Sequence, residues 1–364
     1  MWPVSARWAE TVSRSHQVLA YAEILVDGQP AVSTLGSADL LLTAARVDVA
    51  DGVIRRQATL ILVDQAGQLA PVADKGLIVP GDGEIRLWAG LRYWDWTPAD
   101  AAAGTDAEYA PVFTGPVMSY DLADYPLVAL TCADRMWYCQ RPLTAPYTVT
   151  PATTIDDAIA SLLAFKIPSA KLATNIPTTD LVSGLLTYDE QADPSDALKR
   201  LATAAGWVLY PDPMGTFVAE DEPGLDPDRV VATYAAGPGG ALIQPRLTGD
   251  AQNIVNTWVV TGEAADNGTT AVPWAKVVDD DPTSLTYVRG PYDERPRFIS
   301  SPLMRTDAQC LLAAQTYRKR EGGLADSVSV DTRVPPAVPC CALLSALAQY
   351  YPPGRARSEA VRTT

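Results

Sequence analysis

The fold of this chain is decided by the stretch Arg55–Tyr93, which reads RRQATLILVDQAGQLAPVADKGLIVPGDGEIRLWAGLRY. Its first part predicts a β-strand that ends at Asp64, because apolar residues recur at every second position and would face a core. A turn should follow, since the next glycine can adopt a positive φ and the aspartate can bond its own backbone. The apolar residues of this strand are Ala58, Leu60 and Leu62, and they alternate with Gln57 and Thr59.

The same stretch continues with a loop rich in proline and glycine and then with a second predicted strand. One face of this strand carries Ile85, Leu87 and Ala89, and the opposite face carries Glu84 and Arg86. We expect the two strands to pair as the centre of a sheet. Nothing in the stretch matches a nucleophile, a metal-ligand set or a phosphate-binding loop, so its predicted role is that of a scaffold.

The composition predicts a globular protein of two or three domains. The chain has 364 residues, of which 48% are hydrophobic and 20% charged, enough apolar content for well-formed cores. Its 30 prolines favour many short elements joined by turns over long helices.

Charge and hydropathy argue against a membrane-spanning, a secreted or a broadly nucleic-acid-binding protein. No apolar run reaches the ~18–20 residues that span a bilayer, so we expect no membrane-spanning segment. The N-terminus lacks the basic flank and apolar core of a secretory signal, which predicts folding in a cytoplasm. The net charge of −15 argues against a broad nucleic-acid or anionic-membrane footprint, which requires clustered Lys and Arg.

Short strands on both sides of the central stretch predict a β-rich first domain over residues 1–145. Asp27–Gly28 is a hairpin signal, and it follows a strand whose predicted inner face is apolar. Arg46 and Asp48 should point outwards from the next strand, which should turn at Asp51–Gly52. Residues 97–111 look like an exposed insertion, and two more strands follow before Asp134. Six or seven short strands at this spacing indicate a barrel or a sandwich. The predicted inner face of the first strand comprises Val18, Ala20, Ala22, Ile24 and Val26.

The periodicity then changes to that of helices, which predicts an α+β domain over residues 146–225. Thr154 should cap a helix with a continuous apolar stripe and acids in its first turn. A second helix should begin at Asp193–Pro194 and stop at Gly206, with a hairpin over 207–219 directly after it.

Residues 226–305 return to strand patterns and predict a second β-barrel domain. Its clearest predicted strands are QNIVNTWVVTGEA, which contains Trp258, and TSLTYVRG over residues 283–290. The remaining 306–364 should hold a helix capped by Thr306, with Gln309 in the capping-box position, and a C-terminal strand, DSVSVDTRV.

The residues that usually carry catalysis are sparse. His16 is the single histidine, so a histidine-dependent triad or a His-rich metal site is almost excluded. Asp279–Asp281 lacks the spaced ligands of a calcium loop, and Gly237–Gly240 lacks the Lys-Ser/Thr of a phosphate loop. The five cysteines include no CxxC pair and are expected to be reduced and mostly buried. We therefore predict no catalytic, cofactor-binding or metal site.

The densest aromatic cluster offers a candidate interface. Trp88 lies within the second predicted strand, where core packing is the better interpretation. Tyr93, Trp94 and Trp96 lie at the end of that strand, beside the predicted insertion. Large amphipathic rings in such a position are typical of buried interface anchors as well as of cores. The possible interface residues are therefore Tyr93, Trp94 and Trp96.

Taken in order, these elements resemble the tail-hub, or minor tail, proteins of actinobacterial siphophages, a group similar to the central baseplate hub proteins of contractile-tailed phages. The order of the motifs is more specific than any one of them. The resemblance covers about residues 1–335, and after Val334-Pro-Pro the chain departs from the pattern of that group, which places a Gly-Asp turn and further strands there. The matching motifs are MWPVSARWAETVSRSHQVLAYAEIL, RRQATLILVDQAGQLAP, LIVPGDGEIRLWAGL, VFTGPV, TCADRMWYCQRPL, SDALKRLATAAGWVLYPDPMGTFV and TDAQCLLAAQTYRKREG.

The resemblance implies a hub architecture that is mainly β with α+β insertions: two β-barrel-like tube domains plus small α+β domains. It implies a homotrimer around the tail axis at the virion tail tip, assembled in the bacterial host cytoplasm, and no catalysis. The implied partners are the distal tail protein, the tape-measure protein and other tail-tip or fibre proteins. Genomic DNA would pass only in transit, and an acidic channel would not adsorb it.

Two other functional classes stay open from the sequence. A tail-tip cell-wall hydrolase is disfavoured by the missing nucleophile and histidine constellations, and activity on purified cell wall would reveal it. A carbohydrate- or receptor-binding β module is supported only by the tryptophan cluster, and a monomer that binds glycans would reveal it. Tape-measure and distal-tail genes just upstream would favour the hub.

Overall fold

The chain is mainly β, and most of its first third forms one seven-stranded antiparallel sheet. The computed structural model describes residues 5–12, 14, 16–50, 53–69, 76–122, 124–150, 153–174, 186–221, 242–249, 254–263, 271–301, 304–322 and 326–332. A short helix, α1 (Ala6–Val12), precedes the sheet. The strands are β1 (Gln17–Val26), β2 (Gln29–Ser33), β3 (Leu40–Val49), β4 (Arg56–Asp64), β5 (Glu84–Arg92), β6 (Ala107–Asp121) and β7 (Leu127–Ala133). Their order across the sheet is β2-β1-β5-β6-β7-β4-β3.

The expected alternation of β4 is confirmed, but its expected pairing with β5 is wrong. Ala58, Leu60 and Leu62 are almost fully buried, as the pattern predicts. However, β4 lies between β3 and β7, whereas β5 lies between β1 and β6. The alternation reports which face of a strand is buried and does not specify the neighbouring strand. The connection between β4 and β5 therefore crosses from one half of the sheet to the other.

The sheet curls around a single hydrophobic core. Side chains from both halves of the sheet contribute to this core, including Ile24 of β1, Leu60 of β4 and Phe113 of β6. Within the described residues, β2 and β3 lie at opposite ends of the strand order. Closure of the sheet into a barrel stays a prediction.

Local turn signals within the sheet are confirmed. Asp27 and Gly28 both have positive φ, 52° and 74°, and they join β1 to β2 as the hairpin signal predicts.

Arg46 and Asp48 are exposed on β3, as expected. The predicted inner face of β1 is only partly buried, because the core reaches Ala22 and Ile24 but leaves Val18, Ala20 and Val26 exposed. The predicted turn at 51–52 lies outside the described residues.

The segment predicted as an exposed insertion, residues 97–111, contains an exposed helix and the start of strand β6. Helix α2 (Pro98–Ala103) begins with a capping box, in which Thr97 and Asp100 each accept a hydrogen bond from the other's backbone, and Pro98 takes the first helical position. Gly104, with a φ of 68°, ends the helix. Strand β6 then starts at Ala107. The sequence carries the signal T-P-x-D, a recognisable helix start.

An α+β unit follows, with the helices and the hairpin that the sequence predicts. Thr154 caps α4 by accepting from the Asp157 amide, Asp193 caps α5, and Gly206 has a left-handed φ of 75°. The apolar faces of both helices form one core with the hairpin β11–β12. The elements are α3 (Met136–Cys139), β8 (Tyr147–Val149), α4 (Ile155–Lys166), β9 (Leu172–Thr174), β10 (Leu186–Tyr188), α5 (Pro194–Ala204), β11 (Trp207–Pro211) and β12 (Phe217–Asp221).

The C-terminal elements build a small sheet that helix α6 covers on one side. Trp258 and Val260 of the central strand are fully buried against Ala313 and Ala314 of this helix. The elements are β13 (Leu242–Gly249), β14 (Thr257–Thr261), β15 (Trp274–Val278), β16 (Pro296–Ser300), α6 (Asp307–Glu321) and β17 (Asp326–Thr332). The sheet order is β15-β14-β16, and β13 pairs separately with β17. The domain division at residues 305 and 306 stays a prediction.

The predicted strand over 283–290 is wrong, because these residues form turns. The buried carboxylate of Asp279 accepts hydrogen bonds from the hydroxyls of Ser284 (2.5 Å) and Thr286 (2.7 Å), and the Asp279 carbonyl accepts from the Val288 amide (2.9 Å). These bonds fold the segment back on itself. Its alternating polar and apolar residues mimic a strand, but serine and threonine here satisfy a local turn.

Candidate interaction surfaces

The predicted aromatic interface lies where β5 ends and helix α1 covers the sheet. Tyr93 is 8% exposed, whereas Trp94 and Trp96 are 41% and 42% exposed. The three predicted residues are thus neighbours, but only the two tryptophans present much of their side chains to solvent. An interface role for Tyr93, Trp94 and Trp96 stays a prediction.

Each of the three rings has an arginine over its face. The guanidinium carbon lies 4.0 Å from the ring centroid for Arg7 over Tyr93, 3.9 Å for Arg14 over Trp94 and 5.0 Å for Arg92 over Trp96. Such cation–π contacts stabilise by roughly 0.5–1 kcal/mol at exposed sites. One face of each ring is therefore already occupied within the chain.

A carboxylate on β6 anchors the start of α1 to the sheet. Glu108 accepts hydrogen bonds from the Ser5 amide (2.9 Å), the Ser5 hydroxyl (2.5 Å) and the Tyr93 hydroxyl (2.7 Å). Burial alone raises the pKa of Glu108, but the bonds from Ser5 and Tyr93 outweigh it, so the pKa lies below its ordinary value. Arg7 also pairs with Asp95 at 2.7 Å. The helix is thus held by charged groups as well as by the buried Trp8.

Trp88 packs against a neighbour while one edge of its ring stays polar. Its ring stacks on Tyr21 at 5.7 Å between centroids, and its indole nitrogen donates to Glu23 at 3.0 Å. The side chain is half-buried. Trp88 therefore packs across β1 and β5 on the face opposite Ile85 and Leu87, outside the hydrophobic core, which corrects the expectation of core packing.

A second surface, the aliphatic face, is the outer side of strands β3, β4 and β7. The strand register places Leu41, Val63 and Leu127 in one cross-strand row. Ala44, Ile61 and Ala129 form the next row. Leu41, Ile61 and Leu127 are exposed. Contiguous apolar side chains on a sheet face are typical of protein–protein contacts.

A third surface, the aromatic face, is the side of the C-terminal sheet that α6 leaves open. Phe298 on β16 is 75% exposed and Trp274 on β15 is 58% exposed. The register aligns Phe298 with Val259 and Lys276, and it places Trp274 beside Thr261 in the next row. The sequence prediction missed this surface. A signal was available in the sequence. Phe298 directly precedes Ile299, so the two side chains must lie on opposite faces of the strand, and only one of those faces can be buried by α6.

The described cysteines are buried thiols. Burial raises the pKa of the Cys132 and Cys139 thiols to about 12 each, and a thiol rather than a thiolate is a poor nucleophile. Cys310 is also buried and free, and Cys340 and Cys341 lie outside the described residues.

The described residues contain no group of three or more His, Cys, Asp or Glu placed to hold a metal ion. Among those same residues, no helix is long and apolar enough to cross a membrane.

Comparison with known proteins places the fold among tail proteins. No family profile matches the chain, and no curated protein is significantly similar to it in sequence. The tail protein from Neisseria meningitidis MC58 superposes with a TM-score of 0.53 at 14% identity, over 85% of this chain and 79% of that one. The prophage MuSo2 43 kDa tail protein from Shewanella oneidensis gives a TM-score of 0.49 at 13% identity, over 85% and 81% of the two chains.

This likeness concerns the fold alone, because the identity is low. Its extent is nonetheless large, since it covers most of both chains in the Neisseria comparison. The fold is similar to that of the tail protein from Neisseria meningitidis MC58. The expected resemblance to tail proteins is confirmed at the level of the fold, whereas a hub role and an actinobacterial origin stay predictions.

Proposed function

We propose that the chain is a structural protein of a phage tail and that it acts as the homotrimeric hub of the tail tip. The observation that carries this proposal is the tail-protein fold, which extends over 85% of the chain. The buried, protonated thiols and the single histidine agree with a role that needs no catalysis.

The two apolar sheet faces support an assembly of several copies. The aliphatic face lies on the first sheet and the aromatic face on the C-terminal sheet. A closed ring in which each copy contacts the next head-to-tail requires two different patches on every subunit. Trp274 and Phe298 of one copy would then contact Leu41, Ile61 and Leu127 of the next.

The further parts of the proposal follow from the hub role. The trimer would surround the tail channel, contact the distal tail, tape-measure and other tail-tip or fibre proteins, and let genomic DNA pass in transit. The net charge of −15 suits this task, because DNA does not adsorb to a surface of like charge. The hub would be made and assembled in the host cytoplasm.

A receptor- or glycan-binding module is a second candidate, and the exposure of Trp94 and Trp96 favours it. Aromatic rings at the surface commonly contact sugars and protein partners. Arg14 and Arg92 already cover one face of each ring, so a ligand would have to bind at the opposite face or at the edges.

Deletion of the gene from its phage tests the structural role. We expect particles with incomplete tails, and complementation by the wild-type gene should restore both tails and infectivity. Mass spectrometry of purified virions should detect the chain in the restored particles. Complete tails that lack the chain, combined with a loss of host attachment only, would favour the receptor-binding candidate instead.

A further inference from the structure

A tight turn of the α+β unit contacts the first sheet. This turn joins β11 to β12, and its own geometry is fixed from within. Asp212 accepts hydrogen bonds from the amides of Met214 (2.9 Å) and Thr216 (2.8 Å), and Gly215 has a φ of 82°. The Asp212 and Thr216 carbonyls accept bonds within the turn, from the Gly215 (2.9 Å) and Asp212 (2.7 Å) amides.

Three side chains of the first-sheet unit donate to three alternate carbonyls of this hairpin. Each donor comes from a different segment: the start of β4, the middle of β6, and the residue that precedes α3. Bonds from three separate segments restrain translation and rotation of the hairpin together. The pairs are Arg56 Nη1 to the Pro211 carbonyl (2.7 Å), Thr114 Oγ1 to the Pro213 carbonyl (2.8 Å) and Arg135 Nη1 to the Gly215 carbonyl (3.0 Å).

The first sheet also fixes the orientation of the Arg135 side chain. Arg135 forms a bidentate ion pair with Glu84, with nitrogen–oxygen distances of 2.8 and 2.6 Å, and both side chains are 10% exposed. Such a fork fixes the plane of the guanidinium. The sequence analysis placed Glu84 on a polar outer face, and this burial corrects that expectation. The charge that compensates Glu84 belongs to Arg135, which lies 51 residues further along the chain.

The other two donors are also positioned from within the sheet. Arg86 Nε donates to the Thr114 hydroxyl at 3.3 Å. The Asp134 carboxylate accepts from the amides of Arg55 (2.7 Å) and Arg56 (2.9 Å), which fixes the backbone from which Arg56 extends. Arg55 in turn stacks over Tyr210 at 4.3 Å.

The backbone of Gly215 packs closely against the Arg135 side chain. A Cβ atom added to Gly215 would lie 2.9 Å from the Arg135 Nε and 3.1 Å from its Cδ. Any side chain there would displace the arginine or the turn, and the positive φ disfavours one as well. Glycine therefore permits the carbonyl to approach the guanidinium.

We propose that Arg56, Thr114 and Arg135, with the three carbonyls that they bind, form a fixed joint that sets the orientation of the α+β unit on the first sheet. The joint makes the two units one rigid body. This inference does not depend on the hub role. In a hub, it would place the α+β unit at one angle in every copy.

The test measures the distance between the two units. Fluorophores introduced through unnatural amino acids at Thr59 of β4 and Glu190 of the α+β unit report it by single-molecule energy transfer. We expect one narrow distribution for the wild-type protein. Two variants should broaden or shift it: Thr114→Val, which keeps the side-chain shape, and the pair Glu84→Met with Arg135→Met, which leaves no buried charge unpaired.

Arg46→Met is the matched control, since it removes an exposed ion pair with Asp48 on β3, and it should leave the distribution unchanged. Far-UV circular dichroism must show that each variant keeps its secondary structure. If the paired variant fails to fold, Thr114→Val alone decides. A narrow, unshifted distribution in a folded joint variant would overturn the proposal.

Discussion

At the scale of single residues, Glu108 is one of the charged groups that hold helix α1 to the sheet. Its pKa is lowered in the folded protein by bonds from Ser5 and Tyr93, which outweigh burial. A lowered pKa means that the contribution to stability is present above the unfolded pKa and is lost as the pH falls through the folded pKa. The N-terminal contact should therefore weaken in acid.

We predict that Glu108→Gln removes this part of the pH dependence. As the pH falls from the unfolded pKa of this carboxyl group through its lower folded pKa, the wild-type protein should lose protection of the α1 amides in hydrogen exchange, whereas the variant should start with low protection and change little. Asp48→Asn on β3 provides a control, because that carboxylate is exposed and remote from α1. Equal acid sensitivity of wild type and Glu108→Gln would contradict the assignment.

Sequence reasoning succeeds for residues whose conformation is set by their neighbours. Asp27 and Gly28 turn the chain as predicted because positive φ is a local requirement. It fails for Glu84, which is buried against Arg135. Local alternation assigns a carboxylate to the outside, and the compensating charge comes from a distant segment that no local pattern reveals.

At the scale of elements, helix α5 is the best test of packing. Ala197, Leu198 and Leu201 are buried against the hairpin, as the helical spacing predicts, and Ala205 is half-buried beside them. We predict that Leu201→Ala lowers the free energy of unfolding by roughly 2–5 kcal/mol, because a cavity remains in the core.

Denaturant unfolding measures this change, and the exposed neighbour Lys199→Ala is the control on the same helix. The control should change the free energy of unfolding by less than about 0.5 kcal/mol. A similarly small change for Leu201→Ala would show that the stripe is not buried.

The helices were easier to predict than the arrangement of the sheets. Caps at Thr154, Asp193 and Thr306 lie where the sequence predicts them, because a cap is decided within four residues. The pairing of β4 with β7 is decided by tertiary contacts. The strand predicted at 283–290 is wrong for a related reason. Asp279, which lies outside that segment, accepts hydrogen bonds from the hydroxyls of Ser284 and Thr286 and holds them in a turn.

At the scale of the whole molecule, the aromatic and aliphatic faces should be contacts between copies. We predict that Phe298→Asp, alone or with Trp274→Ser, prevents incorporation of the chain into tails, because a buried unpaired charge opposes association. Both residues are exposed, so the isolated variant should keep the thermal stability of the wild type.

Phe165→Asp is the matched control, since this phenylalanine is 52% exposed on α4 and belongs to neither face. Incorporation is measured by complementation of a gene deletion and by mass spectrometry of purified particles. Normal incorporation of Phe298→Asp would remove the aromatic face from the proposed interface. The candidate residues Tyr93, Trp94 and Trp96 can be compared in the same assay.

The central claim is that this chain surrounds the tail channel as a ring of three. Its fold is similar to that of a tail protein, and closing a ring would also cover strand edges that otherwise invite aggregation. A cryo-electron microscopy reconstruction of the assembled tail tests the claim most directly. We expect three copies around the axis, with the first sheet beside the channel and the α+β unit outside it. A different copy number, or a position away from the channel, would contradict the account.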